Sequence, residues 1–237
     1  MAKNLQTLSI FPQADLVASQ SGLISALTGF NALHKLRIRC DLRMVQLLSC
    51  IATYPSLKDL AILHVFPPDV PDDPLPQLSC HLTELTFSYV PVTDDELGWL
   101  AKSSSATLQR LELVGVSHLT SAGLSTALTA VCRSLTDLYI MGSSTFARAE
   151  GEEHALDATI VSMERLTKLK ITPECASARM LERRAEAFMQ RGTSAAAVLP
   201  EIHLKLMMTY GAERDSLVRA AGRDWPGWRM NERLHTH

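Results

Sequence analysis

One phrase recurs along this 237-residue chain and restricts its fold more than any other feature: leucine, two residues, a second apolar residue, one residue, then a third. It occurs as Leu5-Leu8-Ile10, Leu33-Leu36-Ile38, Leu57-Leu60-Ile62, Leu82-Leu85-Phe87, Leu108-Leu111-Leu113, Leu135-Leu138-Ile140, Leu166-Leu169-Ile171 and Leu199-Ile202-Leu204. Successive starts lie 28, 24, 25, 26, 27, 31 and 33 residues apart. Self-similarity at this period marks an array of stacked supersecondary units.

The end of each phrase alternates apolar with other residues, which describes a short strand with one buried face. In the fifth unit Leu111 and Leu113 are expected to point inward, and Arg110, Glu112 and Val114 outward. Helical spacing follows several strands. Leu97 and Leu100 come after Thr93-Asp94-Asp95-Glu96, where Thr93 and Glu96 have the spacing of a capping box. Leu124, Leu128 and Val131 form an i, i+4, i+7 stripe opened by Thr120 or Ser121, and Val45, Leu48 and Ile51 form another after Asp41. Leu16, Leu23 and Leu27 suggest a helix in the first unit, and Leu181, Ala185 and Phe188 one in the seventh.

Strands joined by helices run parallel with right-handed crossovers. One unit cannot bury its own leucines, but stacked units can. The expected fold is therefore α/β: a horseshoe-shaped solenoid of about eight strand-turn-helix repeats with a parallel concave sheet. It should span residues 1–210, with a capping helix and tail over 211–237 that include Trp225 and Trp228. Two stretches break the pattern. Residues 66–80 hold five of the eleven prolines, which predicts an extended return in place of a helix. Residues 142–154 are polar and acidic and predict an exposed loop.

These units resemble the leucine-rich repeats of the ribonuclease-inhibitor-like superfamily, closest to the cysteine-containing type of F-box/leucine-rich-repeat proteins. Cys132-Arg133-Ser134-Leu135-Thr136-Asp137-Leu138-Tyr139-Ile140 is similar to that type's strand phrase. Leu119-Thr120-Ser121-Ala122-Gly123-Leu124 is similar to its T-D-x-G-L turn, and Val92-Thr93-Asp94-Asp95-Glu96-Leu97 follows the same turn without the glycine. The likeness is good over roughly 80–141 and extends elsewhere only through the strand phrase. It implies a substrate-capturing solenoid of a ubiquitin-ligase receptor. No F-box-like segment precedes Leu5, so the expectation is a fragment of a longer receptor, with ligase subunits as partners only if an F-box lies upstream. The alternative is a stand-alone scaffold or inhibitor that holds one protein on its concave face.

Outward strand positions supply the candidate partner-binding residues: Lys35, Arg37 and Arg39, then Asp59, Glu84, Arg110 and Glu112, then Asp137 and Tyr139, then Lys168 and Lys170. Their mixed signs suit a protein surface of complementary charge, and Tyr139 is of the residue type that anchors interfaces. A net charge of −2 and 5% aromatics give no push toward nucleic acid. No run of about 18 apolar residues predicts a membrane span. Cys40, Cys50, Cys80, Cys132 and Cys175 are odd in number and lack a CxxC pair, so reduced thiols in a cytoplasmic or nuclear protein are expected. The resemblance implies that Cys132 is a core residue. No nucleophile elbow, HExxH, GxGxxG or P-loop phrase occurs, and neither catalysis, a cofactor nor a metal is expected.

Overall fold

The computed structural model describes residues 5–11, 32–39, 44–63, 77–141, 155–171 and 201–204, together with Gly22, Ser25, Leu27, Phe30, Leu75, Met180 and Arg183. All eight leucine phrases become strands: β1 (Thr7–Ile10), β2 (Lys35–Ile38), β3 (Asp59–Leu63), β4 (Glu84–Ser88), β5 (Arg110–Val114), β6 (Asp137–Met141), β7 (Lys168–Ile171) and β8 (Glu201–Leu204). They form one all-parallel sheet in chain order, each strand paired with the next. Register is constant, so Leu36, Leu60, Leu85, Leu111, Leu138 and Leu169 stand side by side. One-residue slippage would turn this leucine row to solvent, and the apolar pattern therefore fixes the pairing.

The starts of the strands are locked in a second way. The carbonyls of Gln6, His34, Lys58, Thr83, Gln109 and Thr136 each accept from two successive amides at the start of the next strand, at 2.7–3.0 Å. Thr83, Thr136 and Thr167 add their hydroxyls to the same ladder of carbonyls, at 3.0–3.2 Å.

Among the described residues four helices with defined bounds cross between strands: α1 (Met44–Ile51), α2 (Asp94–Ser103), α3 (Ser121–Val131) and α4 (Ala155–Ser162). Their apolar faces and the inward strand residues share a single core. Leu97, Leu100, Leu124, Leu128 and Val131 are buried as their spacing predicts. In α1 Leu48 and Ile51 are buried as expected, while Val45 is only half-buried and Met44 and Leu47 complete the buried face. Two core methionine and cysteine side chains, Met44 and Cys50, accompany the stripe and were not part of it.

Thr93 caps α2 with the reciprocal bonds of a capping box. Its hydroxyl accepts from the Glu96 amide at 3.3 Å, and the Glu96 carboxylate accepts from the Thr93 amide at 2.8 Å. Thr120 caps α3 by accepting from the Gly123 amide at 3.0 Å. Tyr54, which follows α1, is fully buried. Its hydroxyl donates to the Leu27 carbonyl at 2.6 Å, across 27 residues of chain. Burial in an apolar interior requires such a partner for a phenol.

Burial also reaches two outward strand positions. Val114 and Ala61 are buried, although they alternate with inward residues. Val114 lies between Ser88 and Met141, and Ala61 between Arg37 and Thr86. Cys132 is half-buried at the C-cap of α3, where a core position was expected. The readings for 142–154, for the helix through Leu181 and Phe188, and for the C-terminal cap lie outside the described residues, as do those for Leu16 and Leu23 and most of the proline-rich return.

Candidate functional site

The sheet has one face in the core and one open to solvent. All eleven candidate residues lie in the strands or directly after them, on the open face. Register arranges them in rows that run across the strands. The first row reads Thr7, Lys35, Asp59, Glu84, Arg110, Asp137, Lys168 and Glu201. The second reads Ser9, Arg37, Ala61, Thr86, Glu112, Tyr139, Lys170 and His203.

The first row consumes most of its own charge. Lys35 forms an ion pair with Asp59. Arg110 reaches Glu84 at 3.9 Å, and Lys168 reaches Asp137 at 3.3 Å. Each pair joins neighbouring strands, where opposite charges add to pairing and like charges would oppose it. Exposed pairs of this kind contribute little stability, roughly 0–1 kcal/mol each. A paired charge is also less available to any ligand than an unpaired one.

The second row behaves differently. The Lys170 ammonium lies 4.4 Å from the centre of the Tyr139 ring, a cation–π contact. The Tyr139 hydroxyl donates to Met141 Sδ at 3.0 Å. Burial raises the Tyr139 phenol above its ordinary pKa, with further upward pressure from the Glu112 charge and from Tyr89. The phenol therefore stays protonated and able to donate at neutral pH. A cavity of about 210 Å³ opens over β5, β6 and β7. Arg110, Glu112, Asp137, Tyr139, Lys168 and Lys170 line it, which brings six of the candidates together. The other five stand apart from its lining: Lys35 and Arg37 on β2, Arg39 directly after it, Asp59 on β3 and Glu84 on β4.

Tyr89 belongs to this face and was not anticipated. It follows β4 with φ 54° and is 65% exposed, and its ring lies over Gly115, itself at φ 57°. A left-handed backbone is unusual for a bulky side chain and stores strain of about 1–3 kcal/mol. The signal was present in the repeat: Ser88-Tyr89-Val90 occupies the place of Val114-Gly115-Val116 one unit later. A tyrosine stands where the next repeat has glycine. Phe11, 52% exposed beyond β1, is the other large apolar side chain left in solvent among the described residues.

Among the described residues no three His, Cys, Asp or Glu side chains are grouped to hold a metal ion, and no helix is long and apolar enough to cross a membrane. No protein-family model matches the sequence, and no curated protein matches it.

Proposed function

We propose that the chain is a leucine-rich-repeat solenoid, a horseshoe of about eight strand-turn-helix repeats, that binds another protein on its concave sheet face and catalyses no reaction itself. The observation that carries this reading is the register. Equivalent outward positions of successive strands stand side by side, and the core uses none of the polar ones. Such a surface is broad and chemically varied. Its cavity of about 210 Å³ is smaller than typical small-molecule sites, which run from roughly 300 to 1,000 Å³. Tyr139 and Tyr89 supply aromatic anchors of the type that dominates interface energetics.

The finer reading is the substrate-recognition part of an F-box/leucine-rich-repeat ubiquitin-ligase receptor. It rests on the likeness of Cys132–Ile140 and Thr120–Leu124 to that repeat type. Affinity purification of the natural gene product from its host, with mass spectrometry, tests both levels. Tyr139→Ala should reduce recovery of the main partner without unfolding the chain. Equal recovery with Tyr139→Ala and with charge reversal at Arg37 and Arg39 would remove the sheet face from consideration. Absence of cullin–RING ligase subunits from the purified complex would sink the ligase role and leave a scaffold or inhibitor.

A further inference from the structure

The cations of the open face divide into two groups. Lys35, Arg110 and Lys168 each have a carboxylate partner, and Lys170 has the Tyr139 ring. Arg37 and Arg39 have neither an ion pair nor a ring contact among the described residues, and both are exposed. They lie two residues apart around β2, on the same side of the strand, because Leu36 and Ile38 between and beside them are buried in the core. Their neighbours do not offset them. Thr7 and Ser9 of β1 are uncharged, Ala61 faces Arg37 from β3, and Asp59 is engaged by Lys35.

Apolar surface frames the same spot. The Arg39 amide donates to the Ile10 carbonyl at 2.9 Å, which brings exposed Phe11 alongside Arg39. Half-buried Leu63 ends β3 on the other side. Two unpaired guanidinium groups beside an exposed ring and an aliphatic side chain match carboxylates carried next to apolar residues. Guanidinium groups bind carboxylates through paired parallel hydrogen bonds, and they stack on neighbouring aromatic residues.

We infer that β1–β3 form a seat for an acidic segment of a partner protein, with carboxylates on Arg37 and Arg39 and an adjacent apolar side chain against Phe11 and Leu63. This deepens the protein-binding reading of the face and rests on it. Glu112 limits the segment. It is a carboxylate of the face with no ion pair among the described residues, in the same row as Arg37 and three strands away. At strand spacing that is about 14 Å. An acidic run that continued across the sheet would meet it unfavourably, so the segment is acidic over β2 and neutral or basic by β5.

Panning a random peptide display library on the full chain tests the seat. Enriched sequences should place Asp or Glu beside an aliphatic or aromatic residue. Their affinity should fall at least about tenfold on Arg37→Glu/Arg39→Glu, and also on the milder Arg37→Gln/Arg39→Gln, and should weaken with added salt. Enrichment of peptides without acidic residues overturns the inference, as does failure to enrich any sequence or binding that both arginine variants retain. Peptides sensitive to Tyr139→Ala but not to the arginine variants would leave the face as a protein-binding surface and remove the acidic seat. A single-stranded oligonucleotide that displaces the peptides more effectively than free poly-glutamate would also overturn it, in favour of a phosphate-backbone ligand.

Discussion

The Asp94 carboxylate accepts two hydrogen bonds from Thr120, one from its amide at 2.8 Å and one from its hydroxyl at 2.7 Å. Asp94 opens α2, and Thr120 caps α3, so the first turns of successive helices are tied together across 26 residues of chain. Gly123 makes room for this link. A Cβ at Gly123 would lie 2.0 Å from Asp94 Cγ and Oδ1. The glycine of the Thr-x-x-Gly turn thus has a steric reason, the carboxylate of the preceding repeat.

The sign of Gly123→Ala should therefore depend on Asp94. With Asp94 present, alanine displaces the carboxylate, and losing its bonds to Thr120 costs about 1–2 kcal/mol. That loss exceeds or cancels the gain of roughly 1 kcal/mol from replacing a helical glycine. In an Asp94→Ala background only the gain remains, and Gly123→Ala should stabilise. Urea denaturation of the four proteins in the cycle measures the reversal. An identical effect in both backgrounds would refute the steric link.

Tyr89→Gly should raise stability by about 1 kcal/mol, because glycine adopts the left-handed backbone without the clash that a tyrosine Cβ creates. Gly115→Ala should do the opposite. Its Cβ would lie 2.6 Å from Tyr89 Cδ1, on a backbone at φ 57°. Thermal melts of both variants give the comparison. If Tyr89→Gly stabilises the fold while weakening partner capture, the strain at Tyr89 serves binding.

Burial pushes the Cys80 thiol up to about 11, above its ordinary value of 9.0. The folded protein then holds this proton more tightly than the unfolded chain. Stability from this group is intact below pH 9 and is lost as pH rises from about 9 toward about 11. Cys80→Ala should lessen that alkaline decline in urea titrations, even though it lowers stability at neutral pH. Burial also raises Cys50. In native protein at pH 7.5–8, roughly the range where free thiols begin to react, iodoacetamide should label half-buried Cys132 before either, as read by peptide mass spectrometry.

Leu111→Ala and Leu138→Ala should each cost on the order of 2–5 kcal/mol, through lost transfer free energy and the cavity left behind. Both side chains are at most 2% exposed within the leucine row. Denaturant midpoints measure the loss, and a change below about 0.5 kcal/mol would mean that the sheet is not packed on this row.

The strands were legible because a period of two within a period of 24 to 33 leaves few folds open. The cap of α2 was legible because Thr93 and Glu96 are local, three residues apart, and the cap of α3 was narrowed to Thr120 or Ser121, of which Thr120 is the one used. The Asp94–Thr120 link was not, since it joins residues brought together only by stacking. The division of the basic cluster was half-visible. Lys35 and Asp59 occupy the same place in successive repeats, and that alignment alone predicts a cross-strand pair that leaves Arg37 and Arg39 over. The burial of Val114 was not legible, because alternation assigns a side chain to a side of the sheet but does not fix its exposure. Tyr54 escaped notice because its partner, the Leu27 carbonyl, belongs to the preceding repeat.

The carbonyl ladder at the starts of the strands has a consequence for how such a chain can change over generations. Each rung is built from backbone and an occasional threonine, and it joins only adjoining units. A unit could be copied or lost whole, and the two newly adjacent strands would still meet donor to acceptor. The number of units, and with it the length of the sheet, is therefore open to change by duplication or deletion.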